Sequence, residues 1–218
     1  MIKPRIPETD HGIQGQPTVA AYDQMQRALR DKGWIETEAL LKAGINEGVA
    51  LEVGHGPGYL GLEWLQRTQN TTLVGLDISP DMNALVKKNA GDYHLSERTQ
   101  YRLGNCDRMP FEDQSFDAVF TNGSLHEWAN PRAALKEIWR VLKPGGHYFI
   151  ADLRRDMNFF LHIFLWLNVR PVSMRQGLNT SIQAAYTPAE LRELITGTRL
   201  ENAVIHANAI EISISGSK

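Results

Sequence analysis

The stretch VALEVGHGPGYLG, residues 49–61, decides the fold predicted for this chain. Its beginning, VALEV, is typical of a buried strand, and Gly54, Gly56 and Gly58 then free the backbone for a turn that lets a ligand approach the main chain. The helix predicted to follow would point its positive end at the same spot. The next apolar run, TTLVGLD, closes on Asp77, where a doubly wound sheet places a carboxylate beside ribose hydroxyls. The pattern therefore predicts a nucleotide-type ligand site.

A nicotinamide or flavin dinucleotide site is the main alternative for such a turn, and its fingerprint is Gly-x-Gly-x-x-Gly. Counted from Gly54 and Gly56, the third glycine position holds Tyr59, whose ring fills space needed for close packing and for a pyrophosphate. The carboxylate of Glu52 is also poorly suited to a neighbouring pyrophosphate and would suit a ligand with an amino group better. The residues therefore favour a nucleotide-type ligand other than a dinucleotide.

Five motifs carry a resemblance to a known family: LEVGHGPG, VGLDIS, LGNCDRMPF, SFDAVFTNGSLHEW and EIWRVLKPGG. In order and spacing they resemble the class I S-adenosylmethionine-dependent methyltransferases, in the small-molecule group that includes quinone-biosynthesis methyltransferases, over roughly residues 45–153. The resemblance implies an α/β fold with a Rossmann-like, doubly wound, seven-stranded sheet. That sheet would be mostly parallel with a C-terminal antiparallel strand and helices on both faces. S-adenosylmethionine would be the cofactor and S-adenosylhomocysteine the product.

The resemblance also implies which residues bind the cofactor. In the family the glycine turn approaches the methionine part, and the carboxylate after the second strand, here Asp77, binds both ribose hydroxyls. Where the family usually has a carboxylate for the adenine amino group, this chain has Asn105, whose amide oxygen can still accept that hydrogen bond. The other implied contacts are Glu52 near the turn, Ile78 on adenine, Met82, Cys106, and Asn122 with Gly123 after the fourth strand.

His126 is the candidate general base, because imidazole can accept a proton near neutral pH. As an alternative, it only forms a hydrogen bond with the neighbouring loop. A base is needed only if the acceptor keeps its proton. Methyl transfer is an in-line displacement, so holding the acceptor about 3 to 3.5 Å from the methyl group in a dry pocket can supply much of the acceleration.

Four further residues are candidate acceptor contacts, and each has a structural alternative: His11, Tyr22, Trp128 and Arg154. The segment around His11 could be an ordered lid or a solvated N-terminal arm. Tyr22 could equally pack in the core, and Trp128 could pack its own loop. Arg154 could bind an anionic acceptor or pair with a neighbouring aspartate.

Composition excludes several classes of function. The chain has 218 residues, of which 42% are apolar and 22% charged, and a net charge of −2, as expected for one globular domain. No long basic run suggests nucleic acid as a partner, so a small-molecule acceptor is expected. With one cysteine and no paired-ligand spacing among seven histidines, no disulfide framework and no metal are expected.

The chain is predicted to form a single methyltransferase domain over residues 1–218. Its parts are an N-terminal helical cap (1–45), a cofactor-binding core (46–153), a variable apolar insertion or lid (154–186), and a final helix with a β-hairpin (187–218). No signal segment is recognised at the N-terminus, and no run reaches about 18 apolar residues. We therefore expect a cytoplasmic protein without stable membrane insertion.

The run MNFFLHIFLWLNV, residues 157–169, is the least predictable part of the chain. It is too short to span a bilayer as a helix. The favoured interpretation is a buried helix packed on the core or at a homodimer interface. A lid over an apolar acceptor ranks second. Docking on a membrane surface ranks last, because nearly continuous apolarity leaves little polar face.

Two functions are favoured by the sequence, and a dinucleotide oxidoreductase is a distant third. The first is transfer of a methyl group to a small, partly apolar molecule, with the methylated atom (O, N, C or S) unspecified. The second is a catalytically inactive module that binds the cofactor or its product for regulation or interaction. Turnover with any acceptor distinguishes the two, whereas cofactor binding does not.

Overall fold

One seven-stranded sheet organises the protein, in the order β3-β2-β1-β4-β5-β7-β6. The computed structural model describes residues 4–8 and 12–218. Strands β1 to β5 pair in parallel, and β7 runs antiparallel to both β5 and β6. The predicted mostly parallel sheet with a C-terminal antiparallel strand is confirmed. The strands are β1 Gly48–Val53, β2 Thr71–Asp77, β3 Thr99–Leu103, β4 Phe116–Asn122, β5 Leu142–Leu153, β6 Val204–Ala207 and β7 Glu211–Ser217.

Eight α-helices in the described residues surround this sheet. Their starts follow local capping chemistry: the side chain of Ser79 accepts a hydrogen bond at the start of α4, and Thr187 forms a capping box with Glu190 at the start of α8. The helices are α1 Gln16–Asp31, α2 Thr37–Lys42, α3 Tyr59–Arg67, α4 Pro80–Asp92, α5 Pro131–Val141, α6 Phe159–Asn168, α7 Arg175–Ala184 and α8 Pro188–Ile195.

The central strand β1 is buried on both faces. Leu51 packs in one core cluster with Ile138 of α5, and Ala50 packs in the other with Trp64 of α3. A strand covered on both faces needs apolar residues at successive positions, which explains why VALEV lacks simple alternation. Because β2 and β4 flank β1 on opposite sides, the chain order reverses there, and a crevice opens at the carboxyl ends of these strands.

The apolar segment 157–169 lies mostly in α6, and within the described chain no residue of this helix is buried. Phe160 is 81% exposed and Phe159 is 70% exposed. The favoured expectation of a helix buried in the core is therefore wrong. None of the helices in the described residues has the length and apolarity needed to cross a membrane.

Candidate active site

The glycine turn after β1 is joined by hydrogen bonds to the end of β2. Gly54 donates its N–H to the carbonyl of Leu76 at 2.7 Å, and Gly56 donates its N–H to Oδ2 of Asp77 at 2.9 Å. Gly54 and Gly56 have φ values of 66° and 52°, a region that side chains other than glycine rarely adopt. The turn is thereby fixed against the carboxylate predicted to bind ribose.

Asp77 faces the cleft with both carboxylate oxygens already oriented. Oδ1 accepts the N–H of Ser79 at 2.8 Å, while Oδ2 accepts the N–H of Gly56. Each oxygen has a further lone pair, so two vicinal hydroxyls can still donate to this carboxylate. The side chain is ready for a ribose ring without a change of rotamer.

A cleft at the carboxyl ends of β1 to β4 gathers most of the residues predicted to bind the cofactor. Glu52, Gly58 and Asn122 are not among its lining residues in the described chain. The predicted cofactor residues that line it are Gly54, Gly56, Asp77, Ile78, Met82, Asn105, Cys106 and Gly123.

The far end of the cleft, beyond Asp77, is lined by an exposed isoleucine, an asparagine amide and a cysteine. Ile78 is 37% exposed and faces this end. Asn105 uses its Oδ1 to accept the N–H of Asp107 at 3.1 Å, which leaves one lone pair for the exocyclic amino group of a base. Burial raises the pKa of the Cys106 thiol to about 12, so the thiol remains protonated and apolar in character.

Glu52 lies behind the glycine turn. Its side chain is buried, and Oε2 has no hydrogen-bond partner among the described residues. Burial, with a further contribution from Asp77, raises the pKa of Glu52 to about 8. A Cβ atom added to Gly61 of α3 would lie 2.3 Å from this oxygen, so Glu52 faces the helix that follows the turn. Glu52 therefore lies between the glycine turn and α3, on the side away from the cleft.

The near end of the cleft, next to β4, carries aromatic rings. Tyr22 of α1 and Trp128 both line it, and Trp128 donates its indole N–H to Oγ of Ser124 at 3.2 Å. Burial and the nearby carboxylates of Glu127 and Asp77 raise the pKa of Tyr22, so its phenol stays protonated. This end has the apolar walls expected around an acceptor.

Of the other two predicted acceptor contacts, Arg154 and His11, Arg154 is not found at the near end of the cleft. Arg154 binds Asp156 through Nε at 2.7 Å and Nη2 at 2.9 Å, and it donates from Nη1 to the carbonyl of Asn208. It does not line the cleft, so the expectation that it binds an acceptor is corrected to an ion pair with Asp156. His11 lies outside the described residues.

His126 is buried between carboxylates. Its Nδ1 lies 2.9 Å from both oxygens of Asp152, and its Nε2 lies 3.4 Å from Glu8. Burial alone would lower the pKa of His126, but the charges and hydrogen bonds of Asp152 and Glu8 raise it to about 10. A doubly protonated imidazole cannot accept a proton at neutral pH, and His126 is not among the residues lining the cleft. The prediction of a general base at His126 is therefore corrected.

The neighbouring residue, Glu127, does line the cleft. Burial raises its pKa most, the His126 imidazolium at 3.8 Å lowers it, and Glu8 raises it again, for a value of about 7. A carboxyl group with this pKa, placed beside Tyr22 and Trp128, can accept a proton under neutral conditions. His126 and Glu127 both belong to the motif NGSLHEW, and the sequence does not show which of these two side chains faces the ligand.

The carboxylates around His126 could also hold a metal ion by distance alone. The ligand atoms of Glu8, His126 and Glu127 lie within 4.8 Å of one another. With the pKa of His126 near 10, a proton on Nε2 already supplies the positive charge that these carboxylates need. The sequence did not predict this cluster, because Glu8 lies near the N-terminus and the other two residues follow β4, more than a hundred residues later.

An N-terminal strap, residues 4–8 and 12–15, is held against the domain on both sides of the cleft. Arg5 stacks over the ring of Tyr186 at 4.3 Å and donates to the carbonyls of Ala184 and His126. On the other side, Ser79 donates its hydroxyl to the carbonyl of Ile13 at 2.6 Å. Gly12 and Ile13 line the cleft, so the strap forms part of its wall.

Fold and site together define a Rossmann-like enzyme fold for a nucleoside-containing cofactor. A glycine turn that admits main-chain approach, a ribose-type carboxylate and an apolar shelf for a base meet at one crevice. The rings beside β4 provide a separate place for a second, partly apolar ligand. This arrangement fits S-adenosylmethionine, since Asp77 has unused lone pairs at the ribose position and the glycines leave room for the methionine part.

Comparison with known proteins supports the same class. A family described as "Methyltransferase domain" matches residues 51–150. A demethylmenaquinone methyltransferase of Roseiflexus castenholzii is 31% identical, over 79% of this chain and 74% of the relative. A demethylmenaquinone methyltransferase of Deinococcus radiodurans is 33% identical over 60% of this chain, and the match spans 55% of that relative's length.

Solved structures share the fold. A putative S-adenosylmethionine-dependent methyltransferase of Methanococcus maripaludis superposes with a TM-score of 0.76 at 22% identity, over 100% of this chain and 97% of the other. The chain therefore belongs to the class I S-adenosylmethionine-dependent methyltransferases, in the small-molecule group that includes the quinone-biosynthesis enzymes. Its cofactor is S-adenosylmethionine.

Proposed function

We propose that this methyltransferase acts on a small acceptor with an aromatic, quinol-type ring and an apolar substituent. The observation that carries the proposal is the near end of the cleft, where a carboxyl group with a pKa near 7, Glu127, stands among the rings of Tyr22 and Trp128. A flat apolar ring packs between such walls, and a ring hydroxyl can donate to the carboxylate. The similarity to demethylmenaquinone methyltransferases supports the same class of acceptor.

The bound cofactor supplies a methyl group activated on a sulfonium sulfur. The protein contributes position: Asp77 and the glycine turn hold the cofactor, and the rings hold the acceptor in line with the methyl group. Glu127 removes the hydroxyl proton, which makes the ring electron-rich at oxygen and at the adjacent carbon. His126, fixed by Asp152 and Glu8, is a positioning residue whose positive charge favours ionised Glu127. The acceptor assay identifies the atom that receives the methyl group.

Calorimetry of S-adenosylmethionine and S-adenosylhomocysteine tests the cofactor part. We expect Asp77→Ala to weaken binding of both by at least about 100-fold, since two charge-assisted hydrogen bonds are lost at about 1.5–3 kcal/mol each. Asp92→Ala, at an exposed position on α4, should bind like the wild type. Equal affinity of the Asp77→Ala variant and the wild type would contradict the assigned site.

The acceptor part is tested separately by release of S-adenosylhomocysteine in the presence of a short-chain naphthoquinol. Turnover that disappears when the quinol is omitted supports the proposal, and mass analysis of the product locates the new methyl group. A protein that binds the cofactor normally but releases no S-adenosylhomocysteine with any quinol would reject this acceptor class.

A further inference from the structure

Helix α6 presents one continuous apolar face to solvent. The exposed positions recur at helical spacing, and they adjoin a tryptophan that follows α1, whose ring lies 6.5 Å from that of Phe164. Phe160, the most exposed, has 81% of its surface free. We call this set the apolar surface: Trp34, Phe159, Phe160, Ile163, Phe164 and Leu167.

The orientation of α6 is set by its other face. Leu161 and Leu165 are half-buried, and His162 Nε2 lies 2.8 Å from Oδ1 of Asn179 in α7. The helix therefore already has its polar anchor and its packing partner on the inner side. Nothing in the described chain covers the outer side, which leaves an apolar patch of a kind that soluble monomers rarely expose without a function.

Basic side chains border the apolar surface. Arg175 stacks over the ring of Trp166 at 4.0 Å, and Lys32 stacks over Trp34 at 4.7 Å. Residues 157–189 contain no aspartate or glutamate, whereas Arg170 and Arg175 both lie in this segment. Asp31, beside Lys32, is already paired with Arg30 at 2.7 Å. Aromatic rings with stacked cations are suited to the boundary between lipid headgroups and acyl chains.

We propose that the apolar surface docks on an anionic phospholipid membrane. Ten residues of α6 give a helix of about 15 Å, which can lie in the headgroup region and cannot span a bilayer. The basic rim would then meet anionic headgroups. A second copy of the chain is less well matched, because a two-fold contact would bring the Arg170 and Arg175 side chains towards their own copies without acidic partners in the segment.

The docking surface is connected to the acceptor end of the cleft. Helix α7 contacts α6 on one side and the turn Leu125–Glu127 on the other. An acceptor with an apolar substituent could thus move between the membrane and the cleft over a short path. This use of the surface rests on the proposed function, whereas the docking itself does not.

Co-sedimentation with lipid vesicles tests the proposal, using full-length protein and no acceptor. We expect binding to phosphatidylcholine vesicles that contain about one third phosphatidylglycerol, and at least 10-fold weaker binding to phosphatidylcholine alone. The double variant Phe160→Glu/Phe164→Glu should bind the anionic vesicles at least 10-fold more weakly than the wild type. Val204→Glu is the matched control, because Val204 is also an exposed apolar residue (56%) but lies on the edge strand β6. It should bind like the wild type.

Two outcomes would overturn the proposal. The first is absence of vesicle binding by wild-type protein, together with a dimer in sizing chromatography that the double variant separates, which would assign the surface to a second copy. The second is equal binding of the wild type and the double variant. Calorimetry with S-adenosylhomocysteine establishes that each variant is folded. Since vesicle binding requires no turnover, failure of the acceptor assay and failure of docking are distinguishable.

Discussion

Glu127 and His126 are neighbours in the chain with opposite electrostatic situations. His126 has two carboxylates close to its ring nitrogens and keeps its proton, while Glu127 faces the cleft and loses its proton near neutral pH. Proximity to a cation normally lowers a carboxyl pKa, but here burial outweighs it. The balance places the titration of Glu127 where a general base is most effective.

This balance predicts the pH dependence of turnover. A base acts in its ionised form, so kcat/KM should rise with pH through about 7, the pKa of Glu127. Glu127→Gln should lower kcat about 100-fold or more and remove this rising limb, because proton transfer of this kind contributes about 100- to 10,000-fold. Glu97→Gln, at an exposed position, is the control and should keep the limb. The assay is release of S-adenosylhomocysteine across pH 5 to 9. Persistence of the limb in Glu127→Gln would assign it to another group.

At the scale of elements, Gly58 determines how closely α3 approaches α4. Gly58 precedes α3 with φ 83°, and a Cβ atom at this position would lie 2.3 Å from Cγ2 of Val86 in α4. Although the sequence suggested a ligand contact for Gly58, its observed neighbour is a core side chain. The glycine serves the packing of the helix that carries the turn.

Gly58→Ala is therefore expected to destabilise the protein by about 3 kcal/mol or more, since it combines a strained φ with overpacking. Gly197→Ala is a matched control: Gly197 has a similar φ of 74° and open space around its Cβ position. The control should lose only about 1 kcal/mol from the left-handed conformation. Urea unfolding of both variants measures the difference. Equal losses would show that contact with Val86 does not determine the packing.

Helix α6 has surroundings that its own residues do not define. Its composition is compatible with a core helix, a lid or a surface helix, because apolarity alone does not say what lies outside. An isolated helix on a membrane surface must supply its own polar face, and α6 has little of one. In the structure α7 occupies the inner face, so the outer face can remain wholly apolar.

At the scale of the whole molecule, the buried groups of the described residues that titrate above their ordinary range include Glu52 at about 8, Glu127 at about 7 and His126 at about 10. For each, the folded state holds a proton more tightly than the unfolded state. Each contribution to stability is therefore complete below the unfolded pKa and is lost as pH rises through the folded pKa. For the two glutamates the loss begins near pH 4.3 and ends above 7 to 8, and for His126 it runs from about 6.5 to above 10.

A comparison with His126→Gln isolates the histidine. We expect the wild type to exceed this variant in unfolding free energy most at pH 6, and the excess to shrink by a few kcal/mol by pH 10, at about 1.4 kcal/mol per pKa unit. Urea unfolding at pH 6, 8 and 10 provides the measurement. His206→Gln, an exposed position on β6, should show a constant difference from the wild type. A pH-independent excess for His126→Gln would mean that the ion pairs with Asp152 and Glu8 do not stabilise the fold.

Local patterns were sufficient for the sheet and most of its helices. The starts of α4, α5 and α8 depend on a capping side chain and the residues immediately after it, so a short window contains the necessary chemistry. The position of Asp77 at the end of β2 follows in the same way from strand periodicity. The packing of residues 154–186 and the existence of helix α7 depend on partners distant in the chain and were not predicted.

The sequence by itself determined the nucleotide-type site, because the glycine turn and the carboxylate follow from spacings within one βαβ unit, and the resemblance of its five motifs indicated the class of protein. Only the tertiary structure decided the roles of individual polar residues. Arg154 pairs with Asp156, and Glu52 lies behind the turn. His126 is a buried cation because Glu8 and Asp152 contact it from distant parts of the chain. A pKa or a free ligand surface depends on all neighbours in space, and those neighbours come from elements that only folding brings together.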